Sequence, residues 1–280
     1  MNEDVNPATA PRSKDTLALR IASAAILGPA AIAASWAGGR VFAGLVGFLC
    51  VLMAFEWARM IERDDRPPVF YALGAGGAVA LFLAAEGLFG FAYIAVALAG
   101  AAAAALSMKG SRNWKWAAFG AAYILAPCVA LIWLRESVDA GRGLLLLLFA
   151  IVWSADTGGY VAGRLVGGPK LSPSVSPAKT WAGAVGGMIA GAIAAAIGAP
   201  LIFGDAAEGA YIAMGASLGI ASILGDMTES AFKRTFGIKD MSGFIPGHGG
   251  VLDRLDGMIF ATIAVTAVLY GHILAAGLRG

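Results

Sequence analysis

Acidic side chains are concentrated near the end of the chain, at spacings that suit a metal ion. Asp253 and Asp256 lie three positions apart at the start of the last apolar run, and Asp226 closes the run before it. In a helix, residues three apart share one face. A helix N-terminus favours negative charge, and carboxylate oxygens are the ligands that Mg²⁺ prefers. These three acids therefore predict a divalent-metal site.

The segment around these acids is also rich in basic residues and glycine. Its basic side chains are Lys233, Arg234, Lys239 and Arg254. The run His248-Gly249-Gly250 supplies backbone that can approach a ligand closely, with N–H groups that can bind phosphate oxygens. Phosphoryl or nucleotidyl transfer requires acidic residues that bind a metal ion next to basic residues that bind phosphate. The alternative is structural, with the bases marking topology and the acids capping a helix.

Two more acids lie inside apolar runs. An ionised carboxylate in the membrane interior costs roughly 3 kcal/mol unless it is paired or bound to metal, so such residues are candidates for function. Asp156 lies in the middle of its run, and the structural alternative is an ion pair with Arg164 or Lys179. Glu56 is ambiguous, because Arg59 three positions later could simply neutralise it.

A third segment, from Ser176 to Thr180, places two hydroxyls and the Lys179 ammonium directly before another apolar run. A helix N-terminus with donors around it is a ready anion site. The Ser-Pro pair in this segment is also a common start signal for a helix. The segment therefore supports a phosphate site only in combination with the other two.

The composition places all of these residues in a membrane protein. The chain has 280 residues, of which 59% are hydrophobic and 14% charged, whereas soluble domains carry about 25% charged residues. Its apolar runs are about 18–22 residues long, enough to cross a hydrocarbon core. The nine candidate spans are 17–38, 41–61, 69–86, 88–107, 116–134, 144–163, 181–203, 210–227 and 257–277. We therefore predict an all-α, polytopic membrane bundle, and we expect no nucleic-acid partner.

The basic residues predict how these spans are oriented. Sixteen of the 20 Lys and Arg residues fall on one side of the alternation, and the other side holds Arg40, Arg135, Arg142 and Arg279. By the positive-inside rule, the N-terminus is cytoplasmic and the C-terminus lies outside.

The same alternation divides the chain into regions. We expect a disordered cytoplasmic tail at 1–16, N-terminal membrane helices over 17–143 and a catalytic membrane region over 144–280. Two unusually long connections, 164–180 and 228–256, then face the cytoplasm. Because long connections in compact proteins are usually functional, we expect the chemistry there.

The C-terminal pattern resembles the signature of the phosphatidate cytidylyltransferases (CDP-diacylglycerol synthases). The matching positions are Ser230, Lys233, Arg234, Lys239, Asp240, His248, Gly249, Gly250, Asp253, Arg254 and Asp256. The regions around Asp156 and around Ser176–Thr180 are also similar to family segments. Ala178 departs from the family, because many members carry another Lys there; the departure trims local charge but leaves Lys179 and Thr180 in place.

The resemblance implies a homodimeric helical membrane enzyme in the inner membrane of a bacterial cell, with a polar cavity open to the cytoplasm. It implies Mg²⁺, with K⁺ as a second cation, and CTP and phosphatidic acid as substrates. The implied catalytic residues are Asp226, Lys239, Asp253 and Asp256, and the implied metal ligands are Asp226, Asp253 and Asp256. The implied substrate-binding residues are Asp156, Ser176, Lys179, Thr180, Lys233, Arg234, His248, Gly249, Gly250 and Arg254. We expect His248 to take a hydrogen-bonding or structural role, because an ionised phosphate needs no strong base.

Three other functions are weighed against this one. A CTP-dependent polyprenol kinase would also span the membrane, but it would transfer the γ-phosphate. A CDP-alcohol phosphotransferase requires the pattern D-G-x-x-A-R, which fails after Asp256-Gly257. An ion-coupled transporter predicts inverted repeats with interrupted helices at the midplane, and the sequence shows no such repeat.

Overall fold

The computed structural model describes residues 14–109, 113–137, 140–204, 209–245 and 249–277. Nine helices and one β-hairpin run through these ranges. The helices are α1 (Lys14–Ala37), α2 (Gly39–Glu62), α3 (Pro68–Ala85), α4 (Phe89–Lys109), α5 (Trp114–Glu136), α6 (Gly141–Leu165), α7 (Trp181–Phe203), α8 (Gly209–Thr235) and α9 (Leu252–Gly277). The hairpin pairs β1 (Lys170–Ser172) with β2 (Ser176–Thr180) in antiparallel fashion, between α6 and α7.

Eight helices in the described ranges, α2 to α9, are long and apolar enough to cross a membrane. A helix of about 20 apolar residues spans the hydrocarbon core. The remaining predicted span, 17–38, falls on α1, whose described apolar part, Ala25–Ala37, is shorter than a span. The predicted all-α polytopic bundle is confirmed, and the chain is an integral membrane protein.

A cluster of aromatic side chains joins α2, α5 and α8. Within α5, a π-helical turn over Ala121–Leu125 comes just before Pro127. Proline cannot donate to the carbonyl four residues earlier and clashes with it, and a wider turn relieves that clash. The ring of Tyr123 then lies 5.3 Å from those of Trp57 on α2 and Phe232 on α8. This packing fixes the end of α8, which carries several of the predicted site residues.

Small residues bring α6, α7 and α8 into close contact. A Cβ at Gly187 of α7 would lie 2.9 Å from the carbonyl oxygen of Ala155 on α6, and one at Gly219 of α8 would lie 3.1 Å from the carbonyl oxygen of Gly187. In a membrane, such close backbone contact supplies the dispersion energy that holds helices together. The contact at Gly187 holds α6 against α7, and Asp156, the residue after Ala155, lies within hydrogen-bond distance of Ser222 on α8.

The second long connection is shorter than the predicted 228–256. The structure continues α8 through Thr235 and begins α9 at Leu252, which leaves 236–251 as the connection. The apolar run does end near residue 227, but the helix continues through Thr235, and an i,i+4 ion pair between Glu229 and Lys233 at 2.7 Å supports this polar part. Hydropathy marks where a span leaves the apolar layer and does not mark where its helix stops.

The first long connection, predicted over 164–180, contains the β1–β2 hairpin. Its two strands pair Lys170 with Thr180 and Ser172 with Ser176. The predicted disordered tail, 1–16, lies outside the described residues as far as residue 13, and α1 already begins at Lys14. The hairpin closes over the end of α8, where Arg234 Nε donates to the carbonyl oxygen of Val175 at 3.4 Å.

Candidate active site

A polar cavity of about 790 Å³ lies between α6, α7, α8, α9 and the hairpin. The predicted site residues that line it are Asp156, Lys179, Thr180, Asp226, Lys233, Asp253, Arg254 and Asp256. Acids from three separate helices therefore face the same space as three of the predicted bases. This arrangement is the one that a site for anionic, metal-bound substrates needs.

Three acids inside the cavity form a cluster that we call the acidic trio: Asp226 and Glu229 of α8 and Asp256 of α9. One carboxylate oxygen of each lies within 4.8 Å of the other two. Glu229 is only 1% exposed, and its Oε1 has no hydrogen-bond partner among the described residues. Carboxylates this close repel one another in low-dielectric surroundings unless cations offset their charge. The acidic trio therefore fits a divalent cation.

Glycine residues allow α8 and α9 to approach closely enough to form the acidic trio. A Cβ at Gly225 would overlap the carbonyl oxygen of Asp256, and one at Gly257 would overlap the hydroxyl of Ser222. The N–H of Gly257 also donates to Asp256 Oδ1 at 2.7 Å. A larger residue at either glycine would push α9 away from α8 and separate the acids.

Two lysines approach the acidic trio from different sides. Lys233 Nζ lies 2.7 Å from Glu229 Oε2 and 2.8 Å from Asp253 Oδ1. Lys179 Nζ, on the hairpin, lies 2.5 Å from Asp226 Oδ2. Ammonium groups on both sides of an acidic cluster can bind the oxygens of a phosphate that reaches it. The cavity therefore has separate groups for a cation and for phosphate.

Asp253 has a different environment from the acidic trio, although it lies in the same first turn of α9. Its Oδ1 accepts from Lys233, and its Oδ2 accepts from the backbone N–H groups of Met241 at 3.0 Å and Gly250 at 2.8 Å. Both oxygens are thus bound by protein donors, and the side chain fastens the 236–251 connection to α9. Its role as a metal ligand stays a prediction.

Asp156 is hydrogen-bonded to α8, the helix that carries Asp226 and Glu229 of the acidic trio. Its Oδ1 accepts a hydrogen bond from Ser222 Oγ at 3.0 Å. Of the two bases considered as ion-pair partners, Arg164 Nη1 donates to the hydroxyl of Tyr160 and Lys179 pairs with Asp226. Ser222, which the sequence does not single out, is therefore the direct partner of Asp156.

The segment from Ser176 to Thr180 forms strand β2 and leads into α7, as its position predicts. Thr180 Oγ1 caps that helix by accepting from the N–H of Gly183 at 3.1 Å. Ser176 pairs with Ser172 in the hairpin and does not line the cavity. Within this segment, the structure brings Lys179 and Thr180 to the cavity and leaves Ser176 beside it.

Four of the other predicted residues lie around the cavity without lining it: Arg234, Lys239, Gly249 and Gly250. Arg234 bonds the hairpin, and Lys239 is exposed after the end of α8. Gly249 has a φ of +91°, which favours glycine, and the N–H of Gly250 donates to Asp253. His248 lies outside the described residues.

Two acids in the structure take roles that the sequence does not assign to them. Glu229 joins the acidic trio, and its only sequence signal is its spacing of three from Asp226 and four from Lys233. Glu56 is fully buried, and its partners belong to the distant 236–251 connection and to α9. The ion pair between Glu56 and Arg59 that we considered is not the one observed, because Arg59 pairs with Asp65 at 2.9 Å.

Comparison with known proteins gives matches along nearly the whole chain. The model of the cytidylyltransferase family matches residues 18–272. A phosphatidate cytidylyltransferase of Brucella suis is 33% identical over 264 residues, which cover 92% of this chain and 94% of that protein. A phosphatidate cytidylyltransferase of Pseudomonas aeruginosa is 34% identical over 262 residues, which cover 90% of this chain and 96% of that protein.

Proposed function

This chain belongs to the cytidylyltransferase family, and from that premise we propose that it transfers CMP from CTP to phosphatidic acid, forming CDP-diacylglycerol and pyrophosphate. The observation that carries this function is the cavity in which the acidic trio meets Lys179, Lys233 and Arg254. The enzyme is thus a membrane-embedded nucleotidyltransferase of phospholipid biosynthesis.

Electrostatic repulsion is the main obstacle to this reaction. Both substrates are polyanions, and they must bring a phosphate oxygen and a phosphorus atom together. The basic side chains of the cavity offset that repulsion and align the two phosphates, which is catalysis by positioning and preorganised charge. Lys179 and Lys233 are suited to this task, because each already approaches the acidic trio from a different side.

The chemical step is an in-line displacement. An ionised oxygen of phosphatidic acid attacks the α-phosphorus of CTP and forms the new P–O bond. The bond between the α-phosphorus and the oxygen that bridges it to the β-phosphate breaks, and pyrophosphate leaves with the electron pair. No proton is removed from the attacking oxygen, so the site requires no general base.

Mg²⁺ fits the acidic trio. The buried Glu229 Oε1 has no hydrogen-bond partner among the described residues and can therefore coordinate a cation. One carboxylate oxygen from each of the three acids lies within 4.8 Å of the others. Asp226, Glu229 and Asp256 would hold the ion, which would supply neutralisation of phosphate charge. Compared with the ligand set expected from the sequence, this set adds Glu229, and Asp253 as a ligand stays a prediction.

The location of the cavity suits two substrates that arrive by different routes. CTP would reach the cavity from the cytoplasm, while the acyl chains of phosphatidic acid remain in the inner membrane of the bacterial cell. The positive-inside pattern supports this orientation. A homodimer and a K⁺ ion as second cation stay predictions from the family resemblance.

The test uses purified full-length protein in lipid nanodiscs with phosphatidic acid, Mg²⁺ and CTP labelled at the α- or the γ-phosphate. We expect α-label to enter the lipid fraction and γ-label to appear in pyrophosphate. Diacylglycerol in place of phosphatidic acid is the control and should accept no label. Transfer of γ-label to a lipid would instead identify a lipid kinase and overturn the proposal.

A further inference from the structure

Glu56 is a fully buried carboxylate in a membrane-spanning helix, α2, far along the chain from the cavity. Its Oε1 accepts from Ser242 Oγ at 2.5 Å and from the N–H of Val251 at 2.8 Å. Its Oε2 accepts from the N–H of Leu252 at 2.8 Å. Buried acids in membrane helices are costly to maintain, so this set of bonds calls for a functional reason.

Two of the three donors to Glu56, Val251 and Leu252, lie at the start of the helix that carries two of the predicted catalytic acids. Leu252 is the first residue of α9, and the first N–H groups of a helix have no partner within it. The carboxylate therefore caps α9 from another helix, with favourable charge at the positive end of the helix. Asp253 and Asp256 follow within the next turn, so whatever fixes this end of α9 also fixes them.

Asp253 holds the same short segment from the other side. Its Oδ2 accepts from the N–H groups of Met241 and Gly250, the neighbours in sequence of two donors to Glu56. A Cβ at Gly250 would lie 2.8 Å from Glu56 Oε1 and 3.0 Å from Asp253 Oδ2. The two carboxylates thus fasten the middle and the C-terminal end of the 236–251 connection around a glycine that leaves no space for a side chain.

We propose that Glu56 is a positioning residue that sets the first turn of α9 and so places Asp256 against Asp226 and Glu229. This inference rests on the proposed function, because it assigns importance to the acidic trio. Displacement of a reacting group by about 1 Å can lower the rate about 100-fold. A residue that anchors the helix carrying Asp256 can therefore control the reaction without touching a substrate.

Glu62 on the same helix provides a matched control. Its Oε2 accepts from the N–H of Val69 at 3.0 Å, near the start of α3. It therefore bonds the first turn of another helix as Glu56 does, but α3 contributes no residue to the cavity. A purely structural role for Glu56 predicts that its amide variant, like that of Glu62, leaves Mn²⁺ binding unchanged.

The experiment compares Glu56→Gln and Glu62→Gln in the full-length protein. We expect Glu56→Gln to lower kcat about 10- to 100-fold and to weaken Mn²⁺ binding, followed by electron paramagnetic resonance, by a similar factor. Hydrogen exchange in 241–252 should accelerate in this variant alone. Glu62→Gln should stay within about twofold of wild type in both kcat and Mn²⁺ binding. Equal effects of the two variants on Mn²⁺ binding and exchange would overturn the proposal.

A milder variant covers the case in which Glu56→Gln does not fold. Ser242→Ala removes one of the three donors to Glu56, and we expect Mn²⁺ binding to weaken about threefold to tenfold. Unchanged Mn²⁺ binding and unchanged exchange in 241–252 would refute the role of Glu56. Failure of wild-type protein to transfer CMP would refute the proposed function instead, while the binding and exchange measurements would still decide on Glu56.

Discussion

The helices α1–α5 and the helices α6–α9 bury their inward faces in different ways. In the first group, large side chains fill the interior, and Trp57, Leu73 and Ile124 are all fully buried. In the second group, the buried residues of α7 are all small. These recur at every fourth position: Gly183, Gly187, Gly191, Ala195 and Ala199.

This difference separates stability from chemistry within one bundle. Large interlocking side chains give the first group many dispersion contacts and a fixed arrangement. Small residues let the backbones of the second group approach, so that acids from different helices meet at one point. Glu56 and the Trp57–Phe232 contact connect the two groups. The first group then acts as a rigid frame that stabilises the fold. The second group holds the acids of the site, whose mutual repulsion destabilises it.

The largest effect should come from the acidic trio. Asp256→Asn removes one carboxylate of the proposed metal site, so we expect CMP transfer to fall about 100- to 1,000-fold. The thermal midpoint should stay the same or rise, because one of three mutually repelling charges is gone. Activity and unfolding are measured on the same purified protein.

Asp65→Asn is the control for this variant. Asp65 forms a surface ion pair with Arg59 and has a side chain that is 87% exposed, so both activity and midpoint should stay near wild type. If Asp256→Asn retained wild-type activity, the second group of helices would not carry the chemistry, and the comparison would fail.

The sequence predicts the acids of the site only where a local pattern of neighbouring residues marks them. Asp226, Asp253 and Asp256 are recognisable because each lies at the edge of an apolar run and two of them are spaced for one helix face. Glu229 escapes notice because an acid four residues before Lys233 is also typical of an ordinary helix surface. The partners of Glu56 are 195 and 196 residues away, and no local pattern reports a contact of that kind.

An intermediate effect should come from the small-residue packing of α7. In Gly187→Ala the new Cβ would lie 2.9 Å from the carbonyl oxygen of Ala155, and backbone cannot move aside as a side chain can. We expect the variant to lose about 1–3 kcal/mol of unfolding free energy. It should also lose activity, because Asp156 follows Ala155 on α6.

Gly44→Ala on α2 is the matched change in the first group of helices. A Cβ there meets nothing within 4 Å, so stability should hold or rise by about 0.5–1 kcal/mol through helix propensity. Equal losses in the two variants would mean that the loss at Gly187 does not come from its contact with the backbone of Ala155.

The smallest effect should come from removing one methylene group from the frame. Ile124 on α5 is fully buried, whereas Ile193 on α7 is 52% exposed on the outer face of the bundle. Ile124→Val should therefore lower the unfolding free energy by about 0.5–1.5 kcal/mol, and Ile193→Val by much less. Both variants should keep the wild-type kcat, because neither moves an acid of the cavity. Unfolding in micelles and CMP transfer, measured side by side, would show a loss of stability without a loss of activity. A drop in kcat for Ile124→Val would instead mean that the frame and the site are coupled even at the level of one methylene.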